Sequence, residues 1–471
     1  MPEDHTPSPE PPDQEAQAIQ EPQKPAQRHP LALIGWLVSG ALLLQAIFGA
    51  VYEYATRETG ERSFQALQLS LRYSVSLPNV DLPLPNSVFD WAQVADEELN
   101  GVLDAAERSA AESEEAARIA LAAAFELGEP PSETAIQTLA ASDDELSRAI
   151  GELYGGDVVT SASVDELREH DSQEFAVRLA QVHAKEMLNM DGGREDVADG
   201  RFAIALTAVN FAMPAAAAVG FVALVLFFAN RSSGRWRPVG FAGGVTHADG
   251  NRYMMRFAFY LVTFSFIPFL ISRAMKGSGL AGNWQSLIVM GGFTLFMLAT
   301  LWRPVLGKVD RLPRLVGEKR GLLRLVGVGL FGYLTTVPLL VLALVAVNWL
   351  SRYLPSPEHP ISEQMVGVSG VGWLPILLTT AVVVPLLEET MFRGLLFPAI
   401  ASRVGRPALA ILVSAFLFAA IHPQGPLMWP ALMVVGGAAA YMRYHTGSLI
   451  PSYTLHIVHN GIIVTVMMLL A

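Results

Sequence analysis

Long apolar runs recur along the chain, separated by short polar stretches and by one broad polar interval near the N-terminus. The first run spans Leu31–Val51. Eight more follow at Phe202–Ala229, Met254–Ile271, Leu287–Leu301, Leu325–Leu350, Trp373–Ile400, Ala408–Ile421, Leu427–Tyr441 and Leu449–Leu470. A helix rises about 1.5 Å per residue, so roughly 20 apolar residues cross a bilayer core. Most of these runs meet that length; those beginning at 287 and 408 are the shortest. The run at 31–51 follows a long acidic stretch, and no small-x-small cleavage site comes after it, so it reads as an uncleaved anchor.

The interval 54–201 has another pattern. Ala and Glu dominate Asp90–Leu127, and Pro130-Pro131 and Gly155-Gly156 punctuate it. Ser142-x-x-Glu145 and Ser163-x-x-Glu166 have the form of capping boxes, each ahead of a helical pattern. Residues 1–30, rich in Pro, Glu and Gln, read as a disordered tail. The expected fold class is all-α: a polytopic membrane bundle of eight or nine helices with an inserted soluble helical domain. Its expected parts are a tail (1–30), an anchor (31–53), an acidic helical domain (54–201), transmembrane helices (202–365) and a C-terminal transmembrane domain (366–471).

Charge sharpens the division. Residues 54–201 hold 30 Asp and Glu against 11 Lys and Arg, whereas 202–471 hold 7 against 19. The overall charge of −12 is therefore an average over an acidic insert and a basic membrane body. Arg231, Arg235, Arg237 and Arg252 fall in one interhelical loop. Lys308, Arg311, Arg314, Lys319 and Arg320 fall in another, and Arg403 and Arg406 in a third. If the spans alternate, all lie on one face, which is then cytoplasmic. Arg273, Lys276 and Arg352 are the minority on the other face. The N-terminus is expected inside and residues 54–201 outside, with the bacterial cytoplasmic membrane as the setting. The absence of cysteine excludes disulfides, thiol catalysis and Cys-ligated zinc. The insert shows no ligand-spaced His/Asp cluster, no phosphate loop and no basic stripe, so no nucleic acid is expected as a partner.

Within the apolar body a few polar residues stand out. Glu388, Glu389 and Arg393 interrupt the run from Trp373 to Ile400. An ionisable group there costs about 3 kcal/mol or more unless paired or hydrated, so it marks a functional interior. Glu389 and Arg393 are four apart with the acid first, the favourable order for a helical ion pair. That leaves Glu388 as the unmatched carboxylate.

Phe418 and His422 share a helical face, as do His456 and Asn460. Glu388 precedes the turn near Val404 by sixteen residues and His422 follows it by eighteen, so both lie about 25 Å from that turn. Asn460 lies about 21 Å beyond the Thr446-Gly447 turn, with His456 a helical turn nearer. All four groups can meet at one depth. His459 is expected to face away from His456, and Arg443 to end a helix at the cytoplasmic surface. A desolvated glutamate is a stronger base, a histidine can orient water, and His and Asn can hold an oxyanion.

The ordered set Glu388-Glu389-x-x-x-Arg393, Phe418-x-x-x-His422 and His456-x-x-x-Asn460 resembles the three motifs of the CPBP intramembrane endopeptidases. That family includes CAAX prenyl endopeptidases and bacterial Abi proteins, and the resemblance covers about residues 375–470. It implies a helical bundle with a polar cavity, in which Glu388 and His422 activate water while His456 and Asn460 stabilise the oxyanion. Glu389, Arg393 and Phe418 would support the site. The insert is outside that family's pattern.

The expected activity is hydrolysis of a peptide bond in or near the bilayer, on a peptide or membrane-protein substrate, with an extracytoplasmic partner for 54–201 left open. No cofactor is favoured; zinc held by Glu388, His422 and His456 is the alternative. A non-catalytic immunity or scaffold protein and a proton-coupled transporter are the competing functions.

Overall fold

The computed structural model describes residues 30–56, 64–80, 90–156, 174–190, 193–234, 246–302, 321–350 and 370–470, with isolated positions at 165, 167, 236 and 368. Residues 1–29 of the expected tail, and both Ser163 and Glu166 of the expected capping box, lie outside these residues. Every regular element among those described is helical.

Helix α1 (Pro30–Thr56) leads into the insert, which contains α2 (Gln65–Ser76), α3 (Trp91–Glu107), α4 (Glu114–Leu127), α5 (Glu133–Ala140), α6 (Glu145–Tyr154) and α7 (Phe175–Met187). The alanines of α4 explain its place. Eight of its residues are buried, and their small side chains let neighbouring helices approach closely around Ile119 and Leu121. Ser113 caps α4 by accepting from the Ala116 amide, and Gly128 closes it in the left-handed region at φ 68°. The start of α6 differs from the sequence expectation. Its cap is Asp144, which accepts from the Ser147 amide. Ser142 instead accepts from the Asp144 amide and donates to Glu114.

One polar network is buried in the insert. His183 Nδ1 lies 2.7 Å from the Tyr154 hydroxyl and its Nε2 2.7 Å from Glu126 Oε1. Arg194 joins Glu126 to Glu186. Burial alone would raise the Glu126 carboxyl, but hydrogen bonds from His183 and Arg194 outweigh it and hold the group below the ordinary glutamate range.

The insert is joined to the membrane body at the start of α8 (Gly200–Ser232). Arg72 lies over the Phe202 ring at 4.0 Å, and the Tyr73 and Thr207 hydroxyls are 2.8 Å apart. Gly200 permits this junction, because a Cβ there would come within 2.2 Å of the Asn79 carbonyl oxygen.

The body continues through α9 (His247–Met275), α10 (Gly282–Trp302) and α11 (Leu322–Leu350). It ends with α12 (Gly370–Val404), α13 (Pro407–Ala420), α14 (Trp429–Thr446) and α15 (Ile450–Leu470). Each of the nine apolar runs coincides with a helix. Seven described helices are long and apolar enough to cross a membrane: α1, α8 to α12 and α15. Helix α13 has only 14 residues, and α14 is not among the seven. Large apolar side chains such as Phe211, Phe221 and Phe228 on α8 are exposed, as lipid-facing residues are. The protein is an integral membrane protein with a polytopic helical fold.

Helix α12 is not a regular α-helix. It is π-helical over Leu378–Val383 and again over Glu389–Leu396. A proline follows each wide stretch by two residues, Pro385 and Pro398. Proline supplies no amide proton and crowds the preceding turn, and the widened turn relieves that conflict. Apolar run length alone predicts one straight span here.

Candidate active site

The first π stretch frees a backbone acceptor. The Val384 amide bonds back five residues to the Thr379 carbonyl. The next amide in that pattern would belong to Pro385, so the Thr380 carbonyl has no donor at that position. Asn460 on α15 donates to it from Nδ2 at 2.9 Å. This is a contact that the sequence reading did not contain. It leaves the second Asn460 amide proton for another partner, since the carboxamide carries two donors.

Glu389 and Arg393 sit in the second π stretch, both with fully buried side chains, and form an ion pair at 2.9 Å. Arg393 also donates from Nη2 to the Gly436 carbonyl at 3.0 Å and lies over the Phe418 ring at 4.2 Å. Gly436 allows that approach: a Cβ there would meet Phe418 Cδ1 at 2.9 Å and Arg393 Nη2 at 3.1 Å. Phe418 is thus a wall shared by the ion pair and the histidines. Its ring centroid is 4.5 Å from that of His422 and 5.8 Å from that of His456. Beneath it, Thr390 and Tyr453 hydroxyls meet at 2.6 Å.

Glu388, one residue earlier, faces a cavity of about 540 Å³ that Phe418, His422, His456, His459 and Asn460 also line. The Glu388 carboxylate lies between two imidazoles. His422 Nε2 is 3.8 Å from Oε1 and His456 Nε2 is 3.7 Å from Oε2. The opposite ring nitrogens are fixed elsewhere. His422 Nδ1 is 2.5 Å from the Phe418 carbonyl oxygen, and His456 Nδ1 is 2.8 Å from Glu389 Oε1. Both partners are acceptors, so each Nδ1 donates and each neutral ring presents an unprotonated Nε2 toward Glu388. Separations of 3.7–3.8 Å are too long for direct hydrogen bonds and suit a bridging water.

The structure brings Glu388, His422, His456 and Asn460 to one cavity, with Phe418 on its wall and Glu389 and Arg393 behind it. Three details depart from expectation. His422 lies two residues beyond the end of α13, not within the helix, with its amide bonded to the Ala419 carbonyl. His459 does not turn away; it lines the same cavity, and its Nδ1 has no hydrogen-bond partner. Arg443 is buried, 6% exposed, and its guanidinium caps α14 by donating to the Gly447 carbonyl. Helical spacing alone could not find these, because each depends on where a helix widens or stops.

Zinc needs three protein ligands converging at about 2 Å. Among the described residues, no group of three or more His, Cys, Asp or Glu side chains is arranged to hold a metal ion.

Such a site, a carboxylate and two oriented imidazoles inside a membrane bundle, is of the kind a hydrolase uses. Residues 370–462 match the family described as Type II CAAX prenyl endopeptidase Rce1-like. The match covers only the C-terminal helices, and over that segment the chain is similar to membrane endopeptidases, as its three motifs implied. No curated protein and no solved structure matches the chain.

Proposed function

We propose that the protein is an intramembrane endopeptidase in which Glu388 is the general base. The observation that carries this reading is the position of Glu388 between two imidazole nitrogens at 3.7 and 3.8 Å in a cavity large enough for a peptide segment. A water held by Glu388 and His422 Nε2 loses a proton to Glu388, and the hydroxide adds to the scissile carbonyl carbon. The resulting oxyanion accepts from the free Asn460 amide proton and from His456. For His456 to donate from Nε2 while Nδ1 donates to Glu389, the ring must carry both protons; Arg393 already matches Glu389, so the Glu388 carboxylate balances that charge before attack and the oxyanion after it. Each such donor contributes about 3–4 kcal/mol to the transition state. Protonated Glu388 then returns its proton to the departing amine as the C–N bond breaks.

Glu389 and Arg393 position His456 and the second π stretch and are not reacting groups. The mechanism as written uses no metal. The charge distribution supports a cytoplasmic N-terminus and residues 54–201 outside; the setting proposed is the bacterial cytoplasmic membrane. The test compares cleaved membrane peptides from cells carrying the wild-type chain with those from cells carrying Glu388→Ala. Peptides that vanish with the substitution identify the substrate; identical peptide sets would refute the proteolytic reading.

A further inference from the structure

Among the described residues, the cavity is lined from one end of the bundle. Successive membrane helices alternate in direction, and contacts fix which termini share an end. At the first end, Trp36 near the start of α1 donates to Asn251 near the start of α9, and Arg403 at the end of α12 donates to the same side chain. At the second end, Asn283 at the start of α10 donates to the Gly372 carbonyl at the start of α12. The insert, between the end of α1 and the start of α8, belongs to this second end. So do Ser272, Gly282, Gln285 and Gln424, which line the cavity. Among the described residues, none of the lining comes from the helix termini of the first end.

Helix lengths give the physical reason. Fourteen residues carry α13 only about 21 Å, short of a hydrocarbon core of about 30 Å. The irregular segment from Ile421 to the short 3₁₀ turn Pro426–Met428 is therefore sunk below the membrane surface of the second end. Irregular backbone at that depth is tolerated only where it is buried in protein or lines a water-filled cavity, and Gln424 lines this one. The buried atoms Gln424 Oε1, His459 Nδ1 and Thr379 Oγ1 lack protein partners along the same wall.

We infer that the site is a hydrated vestibule entered from the end of the bundle that carries the inserted domain, opposite the basic cytoplasmic face. Its substrate is then a polypeptide segment lying outside the cytoplasm, not a chain terminus offered from within it. The naming of a substrate rests on the proteolytic reading; the direction of entry does not.

Single cysteines in the full chain test this, since it has none of its own. Gln285→Cys and Ser286→Cys report on the cavity mouth, exposed Asp143→Cys on the insert and exposed Ser233→Cys on the basic end. Cells, with any outer membrane made permeable, are treated with an impermeant thiol reagent before and after lysis. The expected result is labelling of positions 285, 286 and 143 in intact cells and of 233 only after lysis. Labelling of 143 alone in intact cells, with 285 and 286 reacting after lysis or only on denaturation, would overturn entry from the insert's end. Labelling of 233 alone in intact cells would overturn the extracytoplasmic substrate. None of these readouts uses turnover, so a failure here is separate from inactivity of the Glu388 site.

Discussion

His456 Nδ1 lies 2.8 Å from Glu389 Oε1, so the imidazole that faces Glu388 is held from behind by the neighbouring glutamate. Two consecutive carboxylates thus take different parts. Glu388 faces the cavity, whereas Glu389 is buried with both Arg393 and His456 on its Oε1.

Glu389→Gln should damage the protein more than it damages the chemistry. It strands the buried Arg393 guanidinium, a loss of about 3–5 kcal/mol. Thermal unfolding in detergent should show a large fall for Glu389→Gln and a smaller one for Glu389→Gln combined with Arg393→Met. Equal falls would show that the ion pair is not the cause.

Asn460 has two tasks in this account, and substitutions separate them. Asn460→Ala removes the donor to the Thr380 carbonyl, leaving a buried acceptor unpaired at about 1–3 kcal/mol, and also slows turnover. The catalytic part appears as a lower kcat with KM little changed. A variant that is less stable yet turns over at the wild-type rate would confine Asn460 to bracing the helix.

Among the described residues, a helix at each of the nine apolar runs and the grouping of the four polar residues were legible in sequence, because each depends on apolar run length and i,i+4 spacing. Helix irregularity was not. Pro385 and Pro398 were visible, but their consequence, two π stretches that free Thr380 for Asn460, needs the backbone. The short reach of α13, which sinks residue 424 and places His422 past a helix end, shows in sequence as one of the two shortest apolar runs, but run length alone does not say where the helix stops. In the insert, Glu126, His183 and Arg194 are 57 and 11 residues apart along the chain, so no local pattern joins them.

That insert network gives a pH-dependent expectation. The folded-state pKa of Glu126 is depressed, so its contribution to stability is complete above the unfolded-state value near 4.5 and fades as pH falls through the folded value. Glu126→Gln should make the insert of the full-length protein more open to proteolysis at pH 7, and the gap from wild type should narrow below about pH 4.5. A gap unchanged down to pH 3 would contradict the assignment.

Hydrolysis should survive removal of metals, since the mechanism draws only on Glu388, two imidazoles and an amide. Exhaustive chelation, with elemental analysis of the same sample, should leave the rate of peptide cleavage unchanged. Loss of activity restored by stoichiometric zinc would instead make Glu388, His422 and His456 ligands.

The most direct test of the central claim is peptide turnover by Glu388→Gln beside its thermal unfolding. The substitution keeps size and polarity but cannot accept the water proton. The account predicts insertion and melting close to wild type with turnover reduced by at least 10²-fold, the scale of a lost general base. Wild-type turnover in a properly inserted Glu388→Gln protein would contradict it.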